Sequence, residues 1–166
     1  RVKVSPGQII LGNGSDEVIT LLTKAFLEPG DEAVMADPSF IVYKIDVTAA
    51  HGKLVQVPLK DYRHNLPAMA KAVTQKTRLV FVCNPNNPTG TYVTDAEVAA
   101  FMQAIPPDVI VVFDEAYYEY VTAADFPDTL SLLKSGRNVV LLRTFSKIYG
   151  LAGLRIGYGL TTPEIV

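Results

Sequence analysis

Short apolar runs along the chain alternate with longer segments that are apolar on one side only. Most runs are continuous in apolar residues, which is typical of strands buried on both faces of a parallel sheet. The last run is interrupted by glycines and is less regular. The seven runs cover residues 8–11, 32–36, 53–57, 78–83, 109–114, 138–143 and 154–160.

The segments between the strands show helical periodicity. In residues 15–27, Val18, Leu21 and Leu22 fall on one face, and a capping box of Thr94 and Glu97 opens residues 94–104. Two further helices are predicted at residues 38–50 and 66–74, and residues 119–136 are predicted to form a loop with a short helix. Strands that alternate with helices predict an α/β three-layer sandwich.

Length and composition narrow the classes of protein. The 166 residues suit one domain, and the longest apolar stretches, such as residues 109–113, are far shorter than the roughly 20 residues of a membrane helix. The charged opening, residues 1–6, has no apolar run behind it, and Cys83 is the single cysteine. A net charge of −2 gives no attraction for nucleic acid. We therefore expect a cytoplasmic protein with no membrane or nucleic-acid partner.

Five unusual segments follow the predicted strands. In open α/β sheets, ligands bind outside the carboxyl ends of the strands, so these segments should meet at one edge. We expect the functional site there. The segments cover residues 12–16, 37–40, 84–90, 114–117 and 144–147.

The first segment, Gly12-Asn13-Gly14-Ser15-Asp16-Glu17, is a turn that leads into a helix. Free N–H groups at a helix N-terminus favour an anion, although a plain helix cap has the same composition. Glu17 replaces the third glycine of a dinucleotide-binding fingerprint, which excludes that motif.

Residues 84–90 contain three asparagines and two prolines. Turn formers alone would make such a loop, but three carboxamides exceed what a turn requires. We interpret them as groups that recognise a polar substituent on a ring.

Asp114 and Glu115 end an apolar strand, as the metal-binding acids of a P-loop ATPase do. The chain has no G-x-x-x-x-G-K-[ST] motif, which excludes that class. A buried carboxylate that faces a cationic group remains, beside the simpler alternative of a capping aspartate.

Thr144, Ser146 and Arg155, with the helix that begins at Ser15, have the chemistry of a phosphate site. Lys147 lies among them. An amine near a phosphate and an aldehyde favours a Schiff base, and this interpretation requires no metal ion.

In order and spacing, residues 12–17, 84–90, 114–117, 143–147 and 151–157 resemble motifs of the fold-type-I pyridoxal-phosphate aminotransferases, in particular the histidinol-phosphate aminotransferases. The resemblance covers essentially the whole chain. It implies a seven-stranded, mostly parallel sheet whose last strand, near residues 154–160, is antiparallel. It also implies pyridoxal 5'-phosphate as the cofactor.

The resemblance assigns a role to each site residue. Lys147 would form the Schiff base, Asp114 would pair with the pyridinium nitrogen, and Asn87 with Tyr117 would hydrogen-bond the ring hydroxyl. Phe40 would stack on the ring, at a position that is often tyrosine in the family. The phosphate would be held by the backbone N–H groups of Ser15 and Asp16 and by the side chains of Thr144, Ser146 and Arg155.

The resemblance also implies an amino-acid donor, most closely L-histidinol phosphate, with 2-oxoglutarate as acceptor, and a homodimer. Residues 1–166 would form the cofactor-binding large domain, with an N-terminal arm and a C-terminal small domain outside them. Two alternatives stay open: another reaction of the same cofactor, such as transamination of other amino acids or decarboxylation of threonine phosphate, or a regulator domain that binds the cofactor without turnover.

Overall fold

Residues 4–166 are described by the computed structural model, so the charged opening residues 1–3 lie outside the described part. Seven strands form one sheet in the order β1-β7-β6-β5-β4-β2-β3. The strands are β1 (Ile9–Asn13), β2 (Glu32–Asp37), β3 (Lys53–Pro58), β4 (Thr77–Cys83), β5 (Ile110–Asp114), β6 (Val139–Thr144) and β7 (Ile156–Leu160).

Strand β7 is antiparallel to both of its neighbours, β1 and β6, whereas the pairs from β6 to β3 are parallel. Gly157 lies opposite Gly12 on one side and Thr144 on the other. This register brings two of the unusual segments together across a single glycine. The seven-stranded, mostly parallel sheet with an antiparallel last strand is therefore confirmed.

Helices cover both faces of the sheet. Helices α1 (Ser15–Phe26) and α2 (Ile41–Ala49) pack with Ala33, Met35 and Phe81 on one face. Helices α3 (Leu66–Ala72), α4 (Asp95–Ala104) and α5 (Thr129–Lys134) pack with Val34 and Val80 on the other. Because side chains alternate along each strand, two separate cores form, and the three-layer α/β sandwich is confirmed. None of the helices in residues 4–166 combines the length and the apolar character needed to cross a membrane.

Some element boundaries differ from those predicted. Gly12 and Asn13 extend β1 and pair with β7, so the turn itself is shorter than expected. Helix α2 begins at Ile41, three residues later than predicted, which leaves Ser39 and Phe40 in the loop after β2. The capping box at Thr94 is present as expected, and α5 is the short helix within residues 119–136.

Candidate functional site

A cleft lies at the carboxyl edge of the parallel strands, where ligands bind in open α/β sheets. All ten residues to which the family resemblance assigned a role line this cleft. Gly14, Cys83 and Ala116 complete the lining. The sequence-derived residues are Ser15, Asp16, Phe40, Asn87, Asp114, Tyr117, Thr144, Ser146, Lys147 and Arg155.

One end of the cleft is built to attract an anion. Helix α1 begins at Ser15, so its free N–H groups and positive dipole end face this region. The guanidinium of Arg155 lies directly over Gly14, where a Cβ atom would come within 2.6 Å of Nη2. Gly14 also has φ of 78°, a conformation that favours glycine. Glycine at this position therefore lets the cation approach the helix N-terminus.

Arg155 has a competing partner in the structure. Its Nη2 lies 3.6 Å from Oδ2 of Asp16, and both side chains are about half exposed. An exposed pair of this length is weak, because water screens both charges. Arg155 can therefore be shared with an incoming anion at little cost.

The deeper part of the cleft holds a carboxylate. Asp114 is 2% exposed; its Oδ2 accepts a 2.7 Å hydrogen bond from the Tyr43 hydroxyl, and its Oδ1 accepts one from the Ala116 N–H at 3.2 Å. Burial raises the pKa of Asp114, and the two hydrogen bonds and the charge of Lys147 act in the opposite direction. A cationic ligand atom beside Asp114 would favour the charged form further.

Lys147 follows β6 and is exposed, and its Nζ lies 5.1 Å from the ring centroid of Tyr117. Thr144 ends the same strand and accepts a hydrogen bond from the Ser146 N–H at 3.1 Å, which shapes the turn. Lys147 is the only lysine among the residues that line the cleft. An amine, an anion site and a buried carboxylate thus share one cavity.

The three asparagines of residues 84–90 have different roles. The Asn84 side chain exchanges hydrogen bonds with the backbone N–H and C=O of Val93, at 2.9 and 3.2 Å. Asn86 accepts from Ser39 and donates to Thr89, both at 2.9 Å. The interpretation of all three carboxamides as recognition groups was therefore wrong: only Asn87 lines the cleft, and the other two hold the loop.

Two residues near the carboxylate were missed from the sequence. Tyr43 lies in an amphipathic helix and Cys83 ends the apolar run of residues 79–83, so both fit the core pattern. Only the register of the sheet could reveal Cys83, which pairs with Asp114 across β4 and β5. No group of three or more His, Cys, Asp or Glu residues within 4–166 is arranged to hold a metal ion.

Comparisons with known proteins agree with this geometry. A protein of Moorella thermoacetica called histidinol-phosphate aminotransferase is 52% identical over all of this chain and 43% of its own length. Histidinol-phosphate aminotransferase 2 of Carboxydothermus hydrogenoformans is 54% identical over 97% of this chain and 44% of its own. The chain thus spans less than half of each relative.

A solved structure gives the same result for the fold. The histidinol-phosphate aminotransferase of Sinorhizobium meliloti, in complex with pyridoxal-5'-phosphate, is 37% identical and superimposes with a TM-score of 0.90 over 98% of this chain and 44% of its own. The profile of the family described as aminotransferase class I and II matches residues 1–166. The chain therefore belongs to the class I and II aminotransferase family.

Proposed function

We propose that residues 1–166 form the large, cofactor-binding domain of a pyridoxal-phosphate aminotransferase whose amino donor is L-histidinol phosphate. The observation that carries this proposal is the single cleft that holds an anion site, a buried carboxylate and one lysine. The relatives called histidinol-phosphate aminotransferase, at 52% and 54% identity, support the choice of donor.

The residues of the cleft fit pyridoxal phosphate. The phosphate would be held by the guanidinium of Arg155, the hydroxyls of Thr144 and Ser146, and the N–H groups at the start of α1. Together these groups supply a positive charge and several hydrogen-bond donors. Asp114 would pair with the protonated pyridine nitrogen, which explains why a carboxylate is kept in a buried position. Asn87 and Tyr117 would hold the ring hydroxyl, and Phe40 would cover the ring.

Lys147 would hold the aldehyde carbon covalently. When bound, pyridoxal phosphate supplies an aldehyde that captures amines and a ring that withdraws electrons from the donor's α-carbon. When not bound to the cofactor, Lys147 Nζ would act as the base that takes the proton from that α-carbon. Tyr117 lies beside this amine, 5.1 Å from Nζ to its ring centroid, and can limit its movement.

We also propose, from the family resemblance, that 2-oxoglutarate is the acceptor, that the protein is a cytoplasmic homodimer, and that an N-terminal arm and a C-terminal small domain complete the site. The last proposal agrees with the share of the relatives that the chain spans, 43% and 44%. Substrate-contacting residues in those parts would select the donor.

Borohydride labelling tests the role of Lys147. The full-length protein with pyridoxal phosphate should absorb visible light, and reduction should fix the cofactor to the peptide that contains Lys147, as read by mass spectrometry. Lys147→Ala should remove both signals. Lys44→Ala, which changes an exposed lysine on α2 outside the cleft, should retain them. Label on a different lysine would contradict the assignment.

Initial rates with different donors test the substrate. With 2-oxoglutarate, the full-length protein should have its highest kcat/KM for L-histidinol phosphate, compared with phenylalanine, aspartate and threonine phosphate. A higher kcat/KM for one of the other three would assign a different donor and keep the cofactor chemistry. Binding of the cofactor without turnover of any donor would instead favour a regulator domain.

A further inference from the structure

Tyr43 lies behind the cleft and contacts two of the residues that line it. Its side chain is 0% exposed, and its hydroxyl donates a 2.7 Å hydrogen bond to Oδ2 of Asp114. Its ring is stacked on Phe81, with centroids 4.6 Å apart, and meets Phe40 edge-on at 5.6 Å. Both the orientation of the carboxylate and the position of the Phe40 ring therefore depend on Tyr43.

Building on the proposed function, we propose that Tyr43 is a positioning residue of the cofactor site. Its hydroxyl holds Asp114 as an oriented anion, and its ring fixes Phe40. The stacking on Phe81 and the backbone bond from the Tyr43 N–H to the Phe40 carbonyl, at 3.3 Å, leave the phenol little freedom. A donor in a fixed place is more effective than one that must first be ordered.

The charges around Asp114 show why this donor matters. Burial and the adjacent charge of Asp114 raise the pKa of Tyr43 well above its usual range, so the hydroxyl stays protonated and can donate. Burial likewise raises the pKa of Cys83 to about 12, so the thiol adds no charge. Asp16 disfavours a charged Asp114, and Lys147 favours it. Among side chains, the Tyr43 hydroxyl makes a direct hydrogen bond to Asp114, and this bond lowers the pKa of that carboxyl against the effect of burial.

Tyr43→Phe isolates the hydroxyl because the ring and its stacking remain. Cofactor affinity should fall: the Kd of the full-length protein for pyridoxal phosphate should rise roughly tenfold, the scale of one hydrogen bond to a charged group. Thr161→Val is the matched control. It also removes a buried hydroxyl, which donates to the Val139 carbonyl at 2.8 Å at the opposite edge of the sheet, and it should leave Kd unchanged.

The stability of the cofactor-free protein gives a second measurement. Loss of the hydroxyl raises the pKa of Asp114 further above its unfolded value. When the pKa of a carboxyl group is higher in the folded than in the unfolded state, its contribution to the free energy of unfolding is fully present below the unfolded-state pKa. That contribution is lost as the pH rises through the folded-state pKa. The Tm deficit of Tyr43→Phe relative to wild type should thus be larger at about pH 8 than at about pH 5. The Thr161→Val deficit should be the same at both.

The outcomes separate this inference from the proposed function. Wild-type protein that does not bind pyridoxal phosphate would contradict the proposed function. If the wild-type protein binds pyridoxal phosphate, two results would overturn only the role of Tyr43. One is a Tyr43→Phe variant with the same Kd as wild type, and the other is a Tm deficit of that variant that does not change with pH.

Discussion

Asp114→Ala is expected to lower kcat of the full-length protein by about 10² or more, the scale of a lost group that stabilises developing charge. Asp114 is the buried carboxylate of the cleft, and hydrogen bonds from the Tyr43 hydroxyl and the Ala116 N–H hold it in place. In the proposed cofactor site, loss of this charge would leave the pyridine nitrogen of pyridoxal phosphate without the anion that favours its protonated form. Steady-state assays with the donor and 2-oxoglutarate measure the effect, and Asp114→Glu should retain more activity than the alanine variant.

Two further variants distinguish a catalytic from a structural carboxylate. Asp108→Ala removes an exposed carboxylate near the other end of the same strand and should leave kcat unchanged. Asp114→Asn keeps the shape of the side chain and an acceptor for Tyr43. Because burial raises the pKa of Asp114, the charged form opposes folding, and the cofactor-free asparagine variant should be at least as stable as wild type at about pH 8. A near-normal kcat in Asp114→Ala would show that Asp114 has a structural role and no catalytic one.

Most of the fold could be predicted because the strands are strongly apolar. Strands β4, β5 and β6 are almost entirely buried, and their continuous apolar runs correctly predicted a parallel sheet covered on both sides. Boundaries were less certain where glycine or proline interrupts the pattern. The start of β7 was predicted two residues early, because residues 152–154 form a 3₁₀ turn. A single turn of this kind has no recognisable hydrophobic periodicity in the sequence.

The cleft was predictable to the extent that its residues follow strand ends. Lys147, Asp114 and Arg155 are charged residues at or near the ends of apolar runs, so they can be recognised from the sequence as candidate site residues. Tyr43 has no such sequence signal, because a tyrosine on the apolar face of a helix has the same pattern as a core residue. Only the structure shows that its hydroxyl donates a hydrogen bond to Asp114. The opposite error occurred at Asn84, whose carboxamide pairs with the backbone of Val93.

A second buried carboxylate, Glu115, follows Asp114 and faces away from the cleft lining. It is 1% exposed; its Oε2 accepts a 2.7 Å hydrogen bond from Arg143 Nε and forms an ion pair with Arg143 Nη2, also 2.7 Å away. Its Oε1 accepts from Thr129 at 2.6 Å. Arg143 is itself 11% exposed and lies 3.5 Å over the ring centroid of Tyr118. This pair joins the ends of β5 and β6 to α5, so its loss should loosen the segment that presents Asp114 and Tyr117.

Arg143→Met should therefore destabilise the cofactor-free protein by about 3–5 kcal/mol at about pH 8, because it leaves the Glu115 carboxylate buried without its counter-ion. Burial already raises the pKa of Glu115, and loss of Arg143 raises it further. Protonation relieves the unpaired charge, so the deficit should shrink at about pH 5. Urea denaturation followed by circular dichroism measures both values.

Two controls complete this test of the Arg143–Glu115 pair. The double variant Arg143→Met with Glu115→Gln removes both charges and should recover most of the lost stability. Arg78→Met breaks a more exposed pair with Asp31, 3.2 Å long, and should cost no more than about 1 kcal/mol. An Arg143→Met deficit equal to that of Arg78→Met, or one that does not change with pH, would show that Glu115 is not held as a buried anion by Arg143.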